Sequence, residues 1–486
     1  MHASVLTDEL FVISDLHIGG EPGFQIFNST DELVWLIDHL AQRAKSRKVS
    51  LLINGDIVDF LAEPMPTYFD AEGATDRLDR MFLRDKTFKP IMAALRRFAA
   101  TPNRRLDLNL GNHDLELALP WVGSHFVEMI ANGTDAARGR ITLHTSGAGV
   151  TYRVGTARIY CAHGNEIDEW NLTDYEAIRQ IGRDIMQGKP YVDWVPNAGT
   201  QLVIDAMNDV KRRYPFVDLL KPEQGAVVPF LVALKPALGA KLSHAPRVVG
   251  RRMYDTARRN FGFLGEDSVM PDAPQDHVSA LAVSAHQAQS DAISKSLLAD
   301  IDALYKKDSA PMDLISDEQE GRHLGVWSGI WRGISGGTTA EILREMLEKL
   351  KEDQSFNPKH KDQAFLEYDE MIGSASDIIV TGHTHQQRAI ERDVGLGLYF
   401  NTGTWARLIQ LDPATLDDQT RFQEIYDAFE AGTMDALEAV PDLIKRKNTV
   451  LSVVARGGVI TAQLNSIDDP ASRDPMQPVP NTQFKL

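Results

Sequence analysis

An α/β fold carrying a mainly helical insertion is predicted by three features of this 486-residue chain. Five short apolar runs of β type each end in a loop of Gly, Asp, Asn and His. Loops at the carboxyl ends of strands are where α/β sheets place their chemistry. Between the fourth and fifth runs, roughly 200 residues show apolar positions mostly at helical spacing.

The first run, Glu9–Ser14, leads into Asp15-Leu-His17 and then Gly19-Gly20. The second, Ser50–Asn54, leads into Gly55-Asp56-Ile-Val-Asp59-Phe60. The third, Leu106–Leu110, is followed by Gly111-Asn112-His113-Asp114, and the fourth, Ala157–Ala162, by His163-Gly164. The fifth, Asp377–Thr381, exits into Gly382-His383-Thr384-His385. If the five loops meet on one rim, they bring together two carboxylates (Asp15, Asp56), one amide (Asn112) and four imidazoles (His17, His163, His383, His385). Mixed nitrogen and oxygen donors suit Mn, Fe or Zn better than Ca or Mg. Seven ligands exceed the needs of one ion with open positions and suit two ions about 3.5–4 Å apart.

The ordered set resembles the calcineurin-like metallophosphoesterases, whose pattern runs Asp-x-His, Gly-Asp-x-x-Asp, Gly-Asn-His-Asp/Glu, His and Gly-His-x-His. The resemblance spans residues 9–165 and 376–463. It implies a two-sheet sandwich flanked by helices. It also implies two divalent ions, Mn(2+) first with Fe and Zn as alternatives, and hydrolysis of a phosphate ester or pyrophosphate by a metal-bridged hydroxide. Carried over by residue, it implies that Asp15, His17 and His385 hold one ion, that Asn112, His163 and His383 hold the other, and that Asp56 bridges them. His113 is then the acid or charge stabiliser facing the phosphate, Asp114 orients His113, and Asp59 supports the Asp56 loop.

Several subfamilies stay open. Protein Ser/Thr phosphatases follow the second motif with Arg-Gly and end the third in Glu, where this chain has Phe60 and Asp114. Bacterial UDP-2,3-diacylglucosamine hydrolases are similar in motif order and in the place of the insertion. Many of them carry Arg where His113 stands, and continue His-Gly-Asp where this chain reads His163-Gly-Asn. A pyrophosphohydrolase of that type at a membrane surface, a DNA nuclease, a cyclic-nucleotide phosphodiesterase and a non-catalytic binding protein on the same fold are the alternatives.

Composition narrows the partners. Lys and Arg number 51 against 68 Asp and Glu, a net charge of −17 that repels nucleic acid. The expected partner is a phosphate-containing small-molecule or lipid-linked substrate. The one cysteine, Cys161, forms no internal disulfide and is expected to pack, which fits a reducing compartment. Met1-His-Ala-Ser lacks a basic start and an apolar stretch, so no signal peptide is expected. No uninterrupted run of 18 apolar residues occurs, so no spanning helix is expected. The expected location is cytoplasmic, with a peripheral position at the inner face of a membrane as the alternative.

The expected division is a core of 1–170 and 376–465, an insertion or cap of 171–375 and a poorly ordered, Pro-containing tail of 466–486. Thr200–Arg213, His277–Lys307 and Thr339–Asp353 read as helices; Gly265–Gln275 and Ser328–Thr338 read as breaks. Between Asn171 and Asn260, 14 Lys and Arg outnumber 9 Asp and Glu. Lys211, Arg212, Arg213, Arg247, Arg251, Arg252, Arg258 and Arg259 are therefore candidates to meet phosphate or an anionic membrane. Trp327 and Trp331, at i and i+4, read as core. Asn401–Trp405 resembles the strand end after the last family motif, and 450–455 with 458–462 reads as a hairpin turning at Arg456-Gly457.

Overall fold

Strand periodicity sends alternate side chains to opposite faces. In the first apolar run, Leu10 and Val12 enter one core while Phe11 and Ile13 enter another. A computed structural model describes residues 4–64, 69–168, 171–191, 194, 219–221, 339–347, 350, 351 and 353–486. There the run is β2 (Glu9–Ile13), paired in parallel with β3 (Val49–Asn54), which is followed by parallel β4 (Arg104–Asn109) and β5 (Ile141–His144). On the other side of β2, the sheet continues antiparallel through β14 (Thr449–Arg456) and β15 (Val459–Ile467). The expected hairpin is the β14–β15 pair, turning at Gly457-Gly458.

A second sheet has the order β1 (Val5–Thr7), β6 (Val150–Val154), β7 (Ala157–Cys161), β9 (Ile378–Thr381), β11 (Leu398–Thr402) and β10 (Gln387–Glu391). Strands β7, β9 and β11 run parallel. A small third sheet joins β13 (Ile444–Lys445), β12 (Leu408–Gln410) and β8 (Leu220–Lys221).

The two large sheets bury one core between them, including Val12, Leu52, Tyr152, Ile159, Val380, Phe400 and Leu451. Cys161 lies in this core, as packing predicts. The helices Thr30–Ala41, Lys89–Ala100 and Pro120–Ala131 cover the outer face of the first sheet, with Leu36, Leu95, Phe98 and Phe126 against Phe11, Ile53 and Leu108. In Lys89–Ala100 the buried positions Ile91, Leu95, Phe98 and Ala99 recur at helical spacing, and Pro90 stands in the first turn where no donor is lost. The helix Gln363–Ile372 covers the second sheet, with Phe365 and Tyr368 on Ile379 and Tyr399. The architecture is the expected two-sheet α/β sandwich flanked by helices.

The chain divides into two compact units, one of Met1–Lys221, Asp353–Gln410 and Ala428–Leu486, the other of Pro222–Glu352 and Leu411–Asp427. The first unit therefore keeps stretches that the sequence reading gave to the insertion. The reason is amphipathic packing: in the helix Tyr175–Met186, Ile178 and Ile181 bury against Leu115 and Trp194. Among the described residues of the second unit, Arg344 donates to Leu416 O at 3.1 Å and Lys351 pairs with Asp417 at 2.7 Å. The helix expected over Thr339–Asp353 is present as Thr339–Met346. The stretches Thr200–Arg213, Gly265–Gln275, His277–Lys307 and Ser328–Thr338, the cations from Lys211 to Arg259 other than Lys221, and the Trp327/Trp331 pair lie outside the described residues. No helix among the described residues is long and apolar enough to cross a membrane.

The expected disordered tail is a correction. Strands β16 (Met476–Pro478) and β17 (Phe484–Lys485) pair antiparallel with β15. Thr482 is fully buried, accepting from Gln463 Nε2 at 2.8 Å, and Phe484 meets Phe400 with ring centroids 5.8 Å apart. Backbone pairing, which polar composition does not reveal, holds this segment. Deleting residues 468–486 is expected to lower the melting temperature by at least ~3 °C, since each kcal/mol lost in a unit of this size shifts it by about 2–4 °C. An unchanged thermal melt restores the disordered reading.

Behind the third motif, the short turn Leu115–Ala118 buries Glu116. Burial pushes its carboxyl up to about 8, against the opposing pull of backbone N–H groups and Arg77. A carboxyl raised above its unfolded value contributes stability that is full below that value and is lost as pH rises through the folded one. The loss therefore falls between about 4.5 and about 8. Glu116→Gln is expected to flatten this decline, so the variant gains on the parent in thermal melts from pH 5 to pH 9. A gap between the two that does not change with pH removes Glu116 as the cause.

Candidate metal centre

Every candidate ligand stands where a strand ends. Asp15 and His17 follow β2, Asp56 follows β3, and Asn112 and His113 follow β4; His163 follows β7, and His383 and His385 follow β9. Backbone bonds carry the pairing past the strand ends. Asp15 N donates to Gly55 O at 3.1 Å, His17 N to Asp56 O at 2.9 Å, Phe60 N to His113 O at 3.1 Å and Gly382 N to His163 O at 2.7 Å.

The loops turn sharply at the ligands themselves. Asp15, His17, Asp56, His383 and His385 have φ of 53°, 50°, 51°, 67° and 60°. Residues with a Cβ enter this left-handed region rarely, at a cost on the order of 1–2 kcal/mol each. Such strain persists where the surroundings fix it. Asp15 O accepts from Thr404 Oγ1 at 2.7 Å and Trp405 N at 3.1 Å, and Asn401 Nδ2 donates to Gly382 O at 2.6 Å. The segment Asn401–Trp405 thus braces the first and fifth loops. Two glycines open space between motifs: a Cβ on Gly55 would overlap the His163 ring, and one on Gly111 would overlap the Asp56 carboxylate.

Three groups of side chains bring their ligand atoms within 4.8 Å of one another: Asp15, His17 and His385; His17, Asp56 and His113; and Asp56, His163 and His383. His385 Nε2 lies 3.4 Å from Asp15 Oδ1 and 3.0 Å from His17 Nε2. Asp56 Oδ1 accepts from His113 N at 2.8 Å, while Oδ2 faces His163 Nε2 at 3.1 Å and His17 Nε2 at 3.8 Å. That oxygen therefore lies between imidazoles of two groups, the position a bridging ligand needs.

The fit to a metal is tested by what the buried donors lack. Asn112 Oδ1, His163 Nε2 and His385 Nδ1 are buried without a hydrogen-bond partner. Native proteins pair nearly all such atoms, so an orphaned cluster at strand exits fits a set of candidate metal ligands. His163 Nδ1 bonds to the Asn54 carbonyl at 2.8 Å, which it can do only as donor, and this aims Nε2 inward. The same nitrogen stands close to Asp56 without hydrogen-bond alignment, as two ligands of one ion do.

The field agrees. Burial favours neutral Asp56, but His163, His113 and His17 outweigh it and hold the carboxyl well below the usual range. Burial likewise raises Asp15, yet His385 and His163 bring it below its ordinary value. His385 is pushed down to about 4 by burial and then by Lys221, against the pull of Asp15, so at neutral pH its ring offers a lone pair. Burial opposes charge on His163, but Asp56 and Asp15 push it up to about 10. The pull behind that rise acts on any positive charge at Nε2, a cation as much as a proton.

Asp15, His17, Asp56, His163, His383 and His385 thus meet in one cluster, and Asn112, nearly fully buried, has its oxygen unpaired beside them in sequence with His113. The role given to Asp114 is corrected. Its two oxygens accept from Ile57 N and Gly111 N, each at 2.8 Å, so it ties the second loop to the third. Asp59 takes the contact expected of Asp114: its Oδ1 is 3.1 Å from His113 Nδ1 and its Oδ2 is 3.3 Å from His17 Nδ1. Burial would raise Asp59, but His113 and then His17 hold it well below the usual carboxylate range. Two further residues come from outside the motifs. Asp168 Oδ2 lies 2.7 Å from His383 Nε2, and buried Lys221 acts electrostatically on His385. Neither has a spacing signal, since 215 and 164 residues separate them from these partners.

Among curated proteins, none matches the chain. A family model described as calcineurin-like phosphoesterase matches residues 9–217, which include the first four motif loops; the fifth joins them through the geometry above. Residues 9–217 are thus similar to the calcineurin-like phosphoesterase family, and mixed α/β sheets with candidate metal-ligand clusters at the strand exits accompany that match.

Proposed function

We propose that this chain is a dinuclear metal-dependent phosphoesterase that hydrolyses a phosphate ester or pyrophosphate of a small or lipid-linked substrate. The observation that carries the reading is the ring of donors around Asp56 Oδ2, with three buried ligand atoms left unpaired. Asp15, His17 and His385 would hold one ion, and Asn112, His163 and His383 the other, with Asp56 shared; the donor set suits Mn(2+) first, then Fe or Zn. When bound, two such ions neutralise phosphate charge and lower the pKa of water to supply a nucleophile near neutral pH.

The protein's own groups do the rest. His113 is the most exposed imidazole of the cluster at 19 % and stacks edge-on against His17 with centroids 4.8 Å apart. With Nδ1 held by ionised Asp59, its Nε2 is the nitrogen that would donate a proton to the leaving oxygen, and Asp59 stabilises the charged ring before that transfer. Asp59 also grips His17, so one carboxylate sets the distance between a ligand and the proton donor. The net charge of −17 disfavours nucleic acid as substrate.

Purified protein is expected to hydrolyse bis(p-nitrophenyl) phosphate with added Mn(2+) and to lose this with a chelator. No turnover with any divalent cation would sink the enzyme reading. Asp56→Asn is expected to lose bound metal and activity together, as read by elemental analysis beside the assay. His113→Ala is expected to keep its metal and lose about 10²–10⁴-fold in turnover, the usual worth of a general acid; a metal-free His113→Ala protein instead makes His113 a ligand. Gly111→Ala, whose Cβ would overlap both the carboxylate and the backbone N of Asp56, is expected to hold less metal and to melt at a lower temperature. A screen of nucleotides, nucleotide sugars, cyclic nucleotides and single-stranded DNA then ranks the substrate classes.

A further inference from the structure

Asp168 lies outside the five motifs, five residues beyond His163, and reaches across 215 residues of sequence to His383. Its Oδ2 is 2.7 Å from His383 Nε2, a distance typical of a charge-assisted hydrogen bond. We propose that Asp168 is a positioning residue of the metal centre: it accepts the Nε2–H of His383 and thereby leaves Nδ1 as the lone-pair donor to the ion held with Asp56 and His163. The proposal rests on the metal-centre reading above and extends it to a residue outside the ligand set.

Three observations support it. The carboxylate is itself held in place, because Asn171 Nδ2 donates to the same Oδ2 at 2.7 Å and Asn171 N donates to Asp168 O at 2.9 Å. That turn is anchored in the core by fully buried Asn165, whose Nδ2 donates to Asn171 O and to Thr173 Oγ1, each at 3.2 Å. The other ligand of the same group is oriented by the same device: His163 donates Nδ1–H to Asn54 O and presents Nε2. His383 lacks a comparable backbone carbonyl among its described bonds, and Asp168 fills that place. His383 also stands in left-handed backbone at φ 67°, so its ring direction needs a second restraint. An imidazole ligand whose other nitrogen is tied to a carboxylate has a fixed tautomer and a more basic donor atom, and losing the partner weakens metal affinity about 10–100-fold.

The test is direct Mn(2+) binding by calorimetry to the full chain stripped of metal, with elemental analysis after dialysis against limiting Mn(2+). The parent is expected to bind two ions. Asp168→Ala is expected to keep the parent's metal-free melting temperature and to bind one of the two ions roughly 10–100-fold more weakly. Asp168→Asn keeps an acceptor for Nε2–H without the charge and is expected to fall between them; it also serves if the alanine variant is poorly folded. Two ions bound at parental affinity by Asp168→Ala, or by both variants, overturn the proposal while leaving the metal centre intact. A fall in metal-free stability with unchanged affinity assigns Asp168 a purely structural role and overturns it too. A parent that binds no Mn(2+) overturns the metal-centre reading itself and this proposal with it.

Discussion

The domain depends on keeping one carboxylate ionised where water scarcely reaches it. Asp56 is 1 % exposed, and an unpaired ion at such a site costs several kcal/mol. What holds the charge is a set of imidazoles, His163, His113 and His17, each delivered by a different strand exit. Because β2, β3, β4 and β7 belong to two sheets, a slip of either sheet would strip Asp56 of part of that set. Register and electrostatics are therefore one constraint, and the pull of the same carboxylates on positive charge is what suits the centre to divalent cations.

The link between the sheets is polar as well as apolar. Asn54, the last residue of β3, receives Asn109 Nδ2 at 3.1 Å from β4 and gives its own Nδ2 to Ala162 O at 2.6 Å beside β7. Its carbonyl takes His163 Nδ1. One buried amide thus sets the spacing of the second, third and fourth loops, while the core between the sheets sets their layer. Against this frame the left-handed turns at five ligands are affordable. Local strain at these positions exchanges backbone energy for side chains that all point to one place.

The chain separates His163 from His383 by a long segment that includes Pro222–Glu352 of the second compact unit, yet their rings lie 5.4 Å apart and Gly382 N donates to His163 O. The parallel pairing of β7 with β9 achieves this closure. The Asp168 turn lies at the start of that segment and touches a candidate ligand, so the segment's first residues belong to the centre.

Five strand runs, the loops after them and all seven candidate ligands were legible in the sequence, because a period-two apolar run ending in Gly, Asp, Asn and His is a local pattern. The β14–β15 hairpin was legible for the same reason. The tail was not: β16 and β17 are held through backbone bonds to β15, and their polar, Pro-containing composition carries no trace of that partner. The helix Tyr175–Met186 shows a helical pattern, but only packing on Leu115 shows which unit it joins. The same limit explains Asp114 and Asp59. Sequence adjacency pairs Asp114 with His113, yet the side chain of Asp114 accepts from Ile57 N and Gly111 N. Asp59 does cap its following turn, accepting from Ala62 N at 3.0 Å, and it also spans two imidazoles. Residue type and order alone determined which groups can bind metal; the crossing of two sheets decided which atoms face each other, because those contacts join residues separated by tens to hundreds of positions.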